Sequence, residues 1–563
     1  MPQRLLPLTF PVDAISFESK GIVYTKPWVV ELLLDLAGYR PERNLVDSVV
    51  VEPSAGEGAF LVQLAQRLIL SCLRQNRPIS DCHKSIIAYE IDSTSSDKAC
   101  SAVSDSLVSI GIDSCVAYSL ARGWIRTGDY LLESSSLQAA DFVIGNPPYV
   151  RLEDIPGEVA NIYRSAYPTM KGRADLYVGF FEAALRQLRK DGVCAFICAD
   201  RWMLNQYGAE LRKFVTAGYD VGAIVEMHNA NAFDDEVSAY PAITIIRRRS
   251  QRPTVVASIK EFDESRPSIS ITEALNAAAS GREPELVKGL TLATIDEWFT
   301  GSAPWPCSSP TRLALLRRLE AEFEPVESSE TGTKVGIGVA TGCDKVFITK
   351  DADLVERARL LPLAMASDTV SGNLEWSGNF LVDPWNCKGL ANLSEFPRFA
   401  AYVEQHREVL SKRHVAKRNL SGWYKTIDRV SHTLTAKPKL YIPDIKDRFN
   451  PVLDRGTTYP HHNLYFITSE KWDLEVLGGL LLSTVGQLFI ESYGVRMRGG
   501  YFRFQAQYLR RICVPKPQSL TKTQSKILIQ AFRSRDRTMA SEISAEIYRM
   551  SKQELEVIGE HRF

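Results

Sequence analysis

Short apolar runs alternate with segments of helical periodicity along the first 250 residues of the chain. The apolar runs are typical of buried strands and cover residues 48–51, 86–89, 142–144, 193–199, 223–227 and 242–247. Residues 59–72 and 175–190 are predicted to form helices between them. The alternation predicts an α/β fold with a mostly parallel sheet. Residues 221–249, two apolar runs around a polar loop, are expected to add an antiparallel edge.

The pattern changes after residue 249, and at 563 residues the chain is long enough for two or three domains. We predict a first domain over residues 1–260, a linker with helices over 261–330, a second domain of mixed α+β structure over 331–520, and a helical polar tail over 521–563. Helical and loop signals mix in the linker, which contains Gly-Ser-Ala-Pro-Trp-Pro at 301–306.

Hydrophobic residues make up 45% and charged residues 24% of the chain, the balance of a soluble globular protein. We expect a cytoplasmic protein without a membrane span, because there is no run of about 18 apolar residues and no signal-peptide pattern. Basic and acidic residues each number 67, which argues against a partner bound by bulk charge but allows local basic patches. The ten cysteines contain no CxxC pair, so we expect free thiols and no metal site.

The first candidate site segment is Glu-Pro-Ser-Ala-Gly-Glu-Gly at 52–58, where an apolar run ends in a glycine-rich turn before a helix. Glycine is needed where the backbone approaches a ligand or takes a positive φ, and in a doubly wound fold such a turn borders the nucleotide-binding crevice. The turn departs from GxGxxG and lacks the lysine of a phosphate loop, so phosphate binding is not favoured. A tight strand–helix turn without a ligand would use the same glycines.

Acidic residues follow the next two strands. Glu90 ends the 86–89 run, where a carboxylate can accept both hydroxyl hydrogen bonds of a ribose; a solvated strand end is equally consistent. Asp129 and Tyr130 belong to Thr-Gly-Asp-Tyr at 127–130. The acid can accept from an adenine amino group and the aromatic can cover the ring, although Gly-Asp is also a common turn.

The strongest signal is Asn146-Pro147-Pro148-Tyr149, directly after the apolar run at 142–144. The two prolines fix φ and remove two backbone donors, which predicts a rigid, exposed loop. The Asn146 side chain and the Pro147 carbonyl offer two acceptors, and Tyr149 offers a flat face. Together they suit a planar amino group that is held through its hydrogens and stacked on a ring.

These four segments, in this order, resemble the class I S-adenosylmethionine-dependent methyltransferases with their Rossmann-like sheet, above all the gamma-class N6-adenine DNA methyltransferases of restriction–modification systems. The resemblance implies S-adenosyl-L-methionine as cofactor, with its methionine part near Thr25, Glu52, Gly56 and Gly58, its ribose at Glu90, and its adenine at Asp129 and Tyr130. Lys26 interrupts the Thr-Pro unit that the family has at this point.

The resemblance also implies roles around the target base. Asn146 and the Pro147 carbonyl would accept from its N6 amino group, and Tyr149 would stack on it, with Phe233 or its competitor Tyr240 as second aromatic contact. Two acceptors localise the nitrogen lone pair, which is otherwise delocalised into the ring. The sulfonium methyl group is already activated, so the transfer then needs mainly correct positioning of the two reactants. The adenine must first be flipped out of the duplex, which costs roughly a few kcal/mol.

Two stretches of the predicted second domain carry excess positive charge. Residues 406–450 hold eleven basic and four acidic side chains, and residues 491–520 hold six and one. With the resemblance, they predict a DNA target-recognition domain whose contacts include Arg418, Trp423, Lys439, Arg496, Arg498 and Arg503. Residues 335–342, Val-Gly-Ile-Gly-Val-Ala-Thr-Gly, resemble the start of this region in the family. His461-His462-Asn463 suits a metal or base contact, but a plain loop is at least as consistent.

Double-stranded DNA is thus the expected partner, and a cognate restriction endonuclease acting on the same site is a candidate second partner. We expect a monomer rather than an obligate oligomer.

The alternative is an Asn-Pro-Pro-Tyr methyltransferase acting on a protein glutamine or on RNA; such enzymes generally lack a large basic region after the catalytic domain. A fused restriction–methylation enzyme would need a nuclease domain, for which the 20 residues before the first motif are too few. A non-catalytic DNA-binding subunit would not need the intact Asn146–Tyr149 loop.

Overall fold

The computed structural model describes residues 24–228, 230–234, 240–248, 253–259, 269–306, 310–418, 420–494 and 500–559. The chain divides into two compact units, Met1–Pro310 and Thr311–Phe563. The four-part division predicted from the sequence stays a prediction, and each unit is described by itself.

The first unit is built on a nine-stranded sheet with the order β3-β2-β1-β4-β5-β7-β6-β8-β9. Its strands are β1 (Val50–Glu52), β2 (Ile86–Glu90), β3 (Ile125–Thr127), β4 (Ala140–Gly145), β5 (Leu188–Ala199), β6 (Asp220–Glu226), β7 (Pro241–Arg247), β8 (Thr254–Ile259) and β9 (Leu290–Ile295). The five strands from β3 to β5 in this order run parallel. Strand β7 pairs antiparallel with both β5 and β6, as predicted for residues 221–249. These two strands do not form the edge of the sheet, however, because β8 and β9 continue it beyond β6.

The described residues of the first unit form the α-helices α1 (Pro27–Ala37), α2 (Ala59–Arg74), α3 (Ser93–Ser109), α4 (Ser114–Trp124), α5 (Tyr130–Glu133), α6 (Gly157–Ala166), α7 (Tyr177–Gln187), α8 (Arg201–Leu204), α9 (Ala209–Gly218) and α10 (Ile269–Ala279). Apolar side chains cover both faces of the sheet. Val50 packs into one hydrophobic core with α1 and α2, whereas Val51 packs into the other with α7. Because neighbouring residues of a strand point to opposite faces, a strand buried on both sides is continuously apolar, as its sequence predicted.

Three strands of this sheet escaped the sequence patterns. Strand β3 has three residues, two of them exposed, so it carries no apolar run. Strands β8 and β9 follow the predicted strands, and β9, together with α10, comes from the segment predicted as a linker. The predicted helix over 175–190 is shorter, since its last residues belong to β5.

The second unit mixes short strands and helices. The strands are β10 (Glu324–Pro325), β11 (Lys334–Ile337), β12 (Ile348–Thr349), β13 (Leu360–Ala364), β14 (Phe380–Val382), β15 (Trp385–Asn386), β16 (Gly389–Leu390), β17 (Lys439–Pro443), β18 (Ile445–Lys446), β19 (Val452–Asp454), β20 (Tyr459–Pro460), β21 (Leu464–Thr468), β22 (Phe502–Arg503) and β23 (Cys513–Val514). They form two four-stranded sheets, β11-β21-β17-β19 and β12-β14-β13-β20, and three two-stranded pairs.

Its helices are α11 (Pro310–Glu322), α12 (Asp344–Phe347), α13 (Pro397–Gln405), α14 (Arg407–Ser411), α15 (His414–Lys417), α16 (His432–Thr435), α17 (Leu474–Leu482), α18 (Thr484–Tyr493), α19 (Ala506–Leu509), α20 (Lys522–Ser534), α21 (Arg537–Ile547) and α22 (Lys552–Gly559). Helix α20 packs closely on α17, where a Cβ on Gly479 would lie 2.6 Å from the Leu528 carbonyl oxygen. Among the described residues no single helix has the length and apolarity to span a membrane; α17 and α18 would pass only as a pair, bent by 66°.

The buried ion pair of Lys439 and Asp454 joins β17 to β19. Both side chains have 0% exposure, and the ammonium lies 2.8 Å from the carboxylate. Lys439 also donates to the backbone oxygens of Leu434, Thr435 and Lys437. Burial lowers the pKa of Lys439, and the carboxylate of Asp454 opposes this effect. A side chain without exposed surface cannot meet a ligand in this conformation, so the structure corrects the prediction of Lys439 as a DNA contact.

Replacing one member of this pair is expected to destabilise the second unit. Lys439→Met leaves the Asp454 carboxylate buried without its cation, which should lower the free energy of unfolding by about 3–5 kcal/mol. The exposed neighbour Lys437 provides a matched control, because Lys437→Met should change it by no more than about 0.5 kcal/mol. Urea unfolding followed by circular dichroism measures both, and equal midpoints for the two variants would contradict this assignment.

Candidate active site at the carboxyl edge of the sheet

Polar residues gather where the parallel strands of the first unit end. Strands β3, β2, β1, β4 and β5 are neighbours in that order, and all five run in the same direction. Their carboxyl ends therefore lie along one edge of the sheet, where ligands bind in open α/β folds. In the same order, the residues at or just after these ends are Asp129, Glu90, Glu52, Asn146 and Asp200.

The glycine-rich turn links β1 to α2 and contacts the end of β2. Gly56 and Gly58 have φ values of 54° and 98°, a region that favours glycine. A Cβ on Gly58 would also lie 3.2 Å from the Ala99 Cα atom in α3. The Gly56 N–H donates to Glu90 Oε2 at 2.8 Å, and the Asp92 N–H donates to Glu90 Oε1 at 3.0 Å. The turn and the acid predicted to share one ligand thus lie against each other.

Glu52 is the most unusual group at this edge. Its side chain has 0% exposure, and neither carboxylate oxygen has a hydrogen-bond partner. Burial raises the pKa of Glu52 well above its ordinary value, and the nearby Glu90 carboxylate adds to this shift. Burial also raises the pKa of Glu90, against the effect of the backbone N–H groups that it accepts. A buried carboxyl group without a partner is costly by itself, so Glu52 is suited to a cation that arrives with a ligand.

Asp129 and Tyr130 lie at the start of α5. Asp129 caps this helix through the Leu131 N–H and accepts from the Tyr163 hydroxyl at 2.5 Å. Burial raises the pKa of Asp129. Tyr130 is only 2% exposed, and its hydroxyl donates to Gln187 at 2.9 Å. The Tyr130 ring is therefore mostly engaged in the core, whereas Asp129 is the more accessible member of the predicted adenine site.

The Asn146–Tyr149 loop follows β4 and is held from two sides. The Asn146 Nδ2 group donates to Thr25 Oγ1 at 3.1 Å, and the Ser54 hydroxyl donates to the Asn146 backbone oxygen at 2.9 Å. Thr25 forms an isolated antiparallel bridge with Phe233. Side chains more than 200 positions apart in the sequence, predicted separately as parts of one site, are thus brought together.

Aromatic rings surround the Tyr149 side chain. Its ring centroid lies 6.3 Å from that of Phe233 and 6.4 Å from that of Tyr177, both in edge-to-face geometry. The Tyr149 hydroxyl is buried without a hydrogen-bond partner, and burial raises its pKa well above the ordinary value. Tyr149 is half-buried and Pro148 likewise, whereas Pro147 is buried. The loop is more enclosed than the sequence predicted.

Two further groups near this edge were missed from the sequence. The Asp175 carboxylate accepts from the hydroxyls of Tyr177 and Tyr207, at 2.8 and 3.1 Å. Asp200, directly after β5, lies 2.7 Å from the His228 imidazole. The Tyr240 ring packs on His228 with centroids 4.9 Å apart. The position of Asp200 after an apolar run was the available signal; the partners of Asp175 come from separate elements that no local pattern joins.

The predicted DNA contacts of the second unit differ in accessibility. Arg418 is exposed, without an acidic partner among the residues that the structure describes. Trp423 is 8% exposed and packs in the core under the Arg407 guanidinium. Arg503 is ion-paired with Asp444. Arg496 and Arg498 lie outside the described residues.

The excess charge of the second basic stretch is largely balanced by acids elsewhere in the sequence. Besides Arg503, its ion-paired residues are Arg510 with Glu327, Arg511 with Glu320, and Lys516 with Glu324. Counting charges within one stretch could not reveal these partners. Arg418 and its neighbour Lys417 are therefore the clearer candidates for contact with a polyanion.

Known proteins with similar sequences are methyltransferases. The family model of the Eco57I restriction-modification methylase matches residues 126–233. Type II methyltransferase M.BstVI of Geobacillus stearothermophilus is 39% identical over 553 residues, which cover 96% of this chain and 98% of that protein. Type II methyltransferase M.PaeR7I of Pseudomonas aeruginosa is 40% identical over 550 residues, which cover 97% and 94%.

Solved structures of low identity share the fold. The Type IIL restriction-modification enzyme MmeI, in complex with DNA, has a TM-score of 0.57 at 13% identity, over 95% of this chain and 72% of that one. This likeness confirms the predicted fold class.

The buried carboxyl group of Glu52 should lower the stability of the ligand-free protein at neutral pH. Its raised pKa means that the folded state keeps a proton which the unfolded state releases as the pH rises above the ordinary value of 4.5, so this group costs stability at neutral pH. Glu52→Gln removes the titration and should raise the free energy of unfolding at pH 7.5 by about 1–3 kcal/mol. The gain should vanish towards pH 4.5.

The matched control is Glu57→Gln in the same turn, because Glu57 lies at the surface 2.7 Å from Lys98. This variant should change the free energy of unfolding by about 0.5 kcal/mol or less. Denaturant titrations at pH 4.5, 6 and 7.5 compare the two variants with the wild type. A Glu52→Gln variant that is less stable at pH 7.5 would disprove the protonated, unpartnered state of Glu52.

Proposed function

We propose that this chain, which belongs to the Type II methyltransferases of restriction–modification systems, transfers a methyl group from S-adenosylmethionine to the N6 atom of an adenine flipped out of duplex DNA. Asn146 carries the proposal. Its side chain lies beside Thr25 at the end of β4, one strand away from the unpartnered carboxyl group of Glu52. Tyr149 follows in the same loop, between two further rings.

The residues at the carboxyl edge fit the cofactor. Glu52 would hold the ammonium group of its methionine part, which provides the cation that a buried carboxyl group lacks. Thr25 and the backbone of Gly56 and Gly58 would border the same part. Glu90 has carboxylate lone pairs beyond those used by two N–H groups, and these would accept from the ribose hydroxyls.

The adenine end of the cofactor would lie against Asp129. This carboxylate would accept from the adenine amino group, while Tyr130, held in the core, would support the wall of the site from behind. When bound, S-adenosylmethionine supplies a methyl group that is already activated by its sulfonium. The protein's own task is then to position and activate the acceptor nitrogen.

The Asn146 side-chain oxygen and the Pro147 carbonyl would provide that activation. Both are acceptors, so together they can take the two N–H groups of the target amine and favour a nitrogen whose lone pair is localised. The hydrogen bond from Asn146 Nδ2 to Thr25 Oγ1 orients the amide. The chain thus needs no cysteine nucleophile for this reaction.

The aromatic side chains would hold the flipped base. Tyr149 would stack on one face of the base. The Phe233 ring, whose centroid lies 6.3 Å away in edge-to-face contact, would hold the Tyr149 ring in place or contact the other face of the base. Tyr240 would border the pocket from the side of His228. Stacking on such rings contributes about 1–3 kcal/mol per base, comparable with the cost of extruding it.

The second unit would recognise the DNA sequence around the target. We propose duplex DNA as the partner, Arg418 among the phosphate contacts, and a restriction endonuclease of the same specificity as the second component of the system. The protein would act as a monomer in the cytoplasm, where the nine described cysteines, all unpaired, stay reduced.

Asn146→Ala should remove methylation without removing cofactor binding. Loss of one acceptor on the reacting group is expected to lower kcat about 100-fold or more, while the Kd for S-adenosylmethionine changes little. Single-turnover transfer of labelled methyl to unmethylated DNA measures the first quantity and calorimetry the second. Asn161→Ala, in the exposed face of α6, is the control and should retain full activity.

Two outcomes would count against the proposal. Undiminished methyl transfer by Asn146→Ala would remove the loop from catalysis. Transfer to RNA or to protein glutamine, but not to DNA, in parallel reactions of the wild type would favour the alternative Asn-Pro-Pro-Tyr methyltransferases.

Arg418→Ala should weaken DNA binding in a salt-dependent manner. Each lost phosphate contact lowers the slope of log Kd against log salt concentration by about 0.9. Arg74→Ala, at an exposed residue of the first unit that is ion-paired with Glu42, is the control and should leave the slope unchanged. Fluorescence anisotropy at several salt concentrations gives both slopes, and equal slopes would remove Arg418 from the DNA contacts.

A further inference from the structure

Two loops of the second unit meet beside the pair of strands β11 and β21. The first loop joins β11 to α12, whose first residue is Asp344, and the second precedes β21 and contains His461 and His462. Val339 joins them through an isolated parallel bridge with His461, and its carbonyl accepts from the His462 N–H at 3.1 Å. Residues more than 100 positions apart in sequence thereby reach the same place.

Three potential metal ligands converge there. The carboxylate of Asp344 and one nitrogen of each imidazole all lie within 4.8 Å of one another. Asp344 Oδ2 is 3.3 Å from His461 Nε2, and the two imidazole rings have centroids 4.0 Å apart. Small side-chain rotations would bring such atoms to the separations found around a tetrahedral ion.

The burial of His461 is a second observation that points to a ligand. The side chain is 3% exposed, yet neither ring nitrogen makes a hydrogen bond of good geometry within the described part of the chain. The Asn463 side chain interacts with His461, but its buried Oδ1 atom makes no hydrogen bond of good geometry either. Buried polar groups in proteins are nearly always satisfied, so these atoms call for a ligand.

The Asp344 carboxylate is already oriented for this role. Its Oδ1 atom accepts from the Thr341 hydroxyl, which in turn accepts from the Cys343 N–H at 3.0 Å. These bonds leave Oδ2 directed at His461. Hydrogen bonds of this kind orient the carboxylate ligands of known metal sites.

We propose that Asp344, His461 and His462 bind a divalent transition-metal ion of the zinc type. Two imidazoles and one carboxylate suit zinc or cobalt, whereas magnesium and calcium take oxygen ligands. Asp344 and His462 are exposed, so the fourth position of a tetrahedral ion faces solvent. The ion fastens the loop after β11 to the loop before β21. The absence of cysteine ligands and the long sequence separation explain why the cysteine pattern predicted no metal site.

Metal binding by the full-length protein tests this site. The chain is stripped with a chelator, incubated with zinc or with cobalt, desalted and assayed for bound metal, and the cobalt form is examined for the visible absorption of a tetrahedral site. The wild type should retain one tightly bound ion per chain. His462→Asn and Asp344→Asn, both at exposed positions, should weaken binding by about 10-fold or more.

Two histidine variants serve as controls. His414→Asn changes an exposed histidine elsewhere in the second unit, and His228→Asn changes the other described cluster of histidine and acids, formed with Asp200 and Glu226. Both should bind zinc like the wild type. At the same zinc concentration, the thermal midpoint of the wild type should also rise more than that of His462→Asn. Absence of bound metal in the wild type, or equal binding by His462→Asn and His414→Asn, would overturn the proposal.

Discussion

The parallel pairing of β3, β2, β1, β4 and β5 is the constraint on which the candidate active site depends. Because all five strands point the same way, their last residues meet at one edge, and short loops there can aim side chains at a common space. Each of Asn146, Glu52 and Glu90 ends or follows a different strand, so the pairing of the strands alone brings the three residues to the same edge. Strand β6 runs in the same direction as β5, because both pair antiparallel with β7. Phe233 and Tyr240 lie between the end of β6 and the start of β7 and therefore reach the same edge.

Electrostatics at this edge favours ligand binding over stability. Glu52 is buried with no partner, and its burial together with the nearby Glu90 carboxylate raises its pKa. A ligand that brings a cation and hydroxyl donors relieves both effects, so part of its affinity comes from the strain of the free protein. His461 in the second unit has the same character, since two buried ring nitrogens lack good hydrogen bonds. At both sites, buried polar atoms have no hydrogen bond of good geometry within the described part of the chain.

The sequence predicted those parts of the fold and site that local patterns encode. Apolar runs predicted six strands of the first sheet. They therefore also predicted that the residues at the strand ends, Glu90 and Asn146 among them, lie at the carboxyl edge of this sheet. Patterns failed where partners are distant. Strand β3 is too short and too exposed to produce an apolar run. From the sequence, Lys439 is indistinguishable from a surface lysine, because its buried partner Asp454 lies on another strand. The charge of Arg503 is likewise balanced by Asp444, which lies far away in the sequence. The contact between Asp344 and His461 depends on the tertiary structure, because the two segments that carry them are far apart in the sequence and no local pattern links them.

The identity of the methylated product tests the central claim most directly. Wild-type protein is incubated with S-adenosylmethionine labelled in its methyl group and with unmethylated duplex DNA of varied sequence, and the DNA is hydrolysed and separated into its modified bases. The arrangement of Asn146, Pro147 and Tyr149 predicts label in N6-methyladenine alone, at one recurring sequence. Label in a methylated cytosine, or DNA that stays unlabelled while RNA or protein is methylated, would contradict the account.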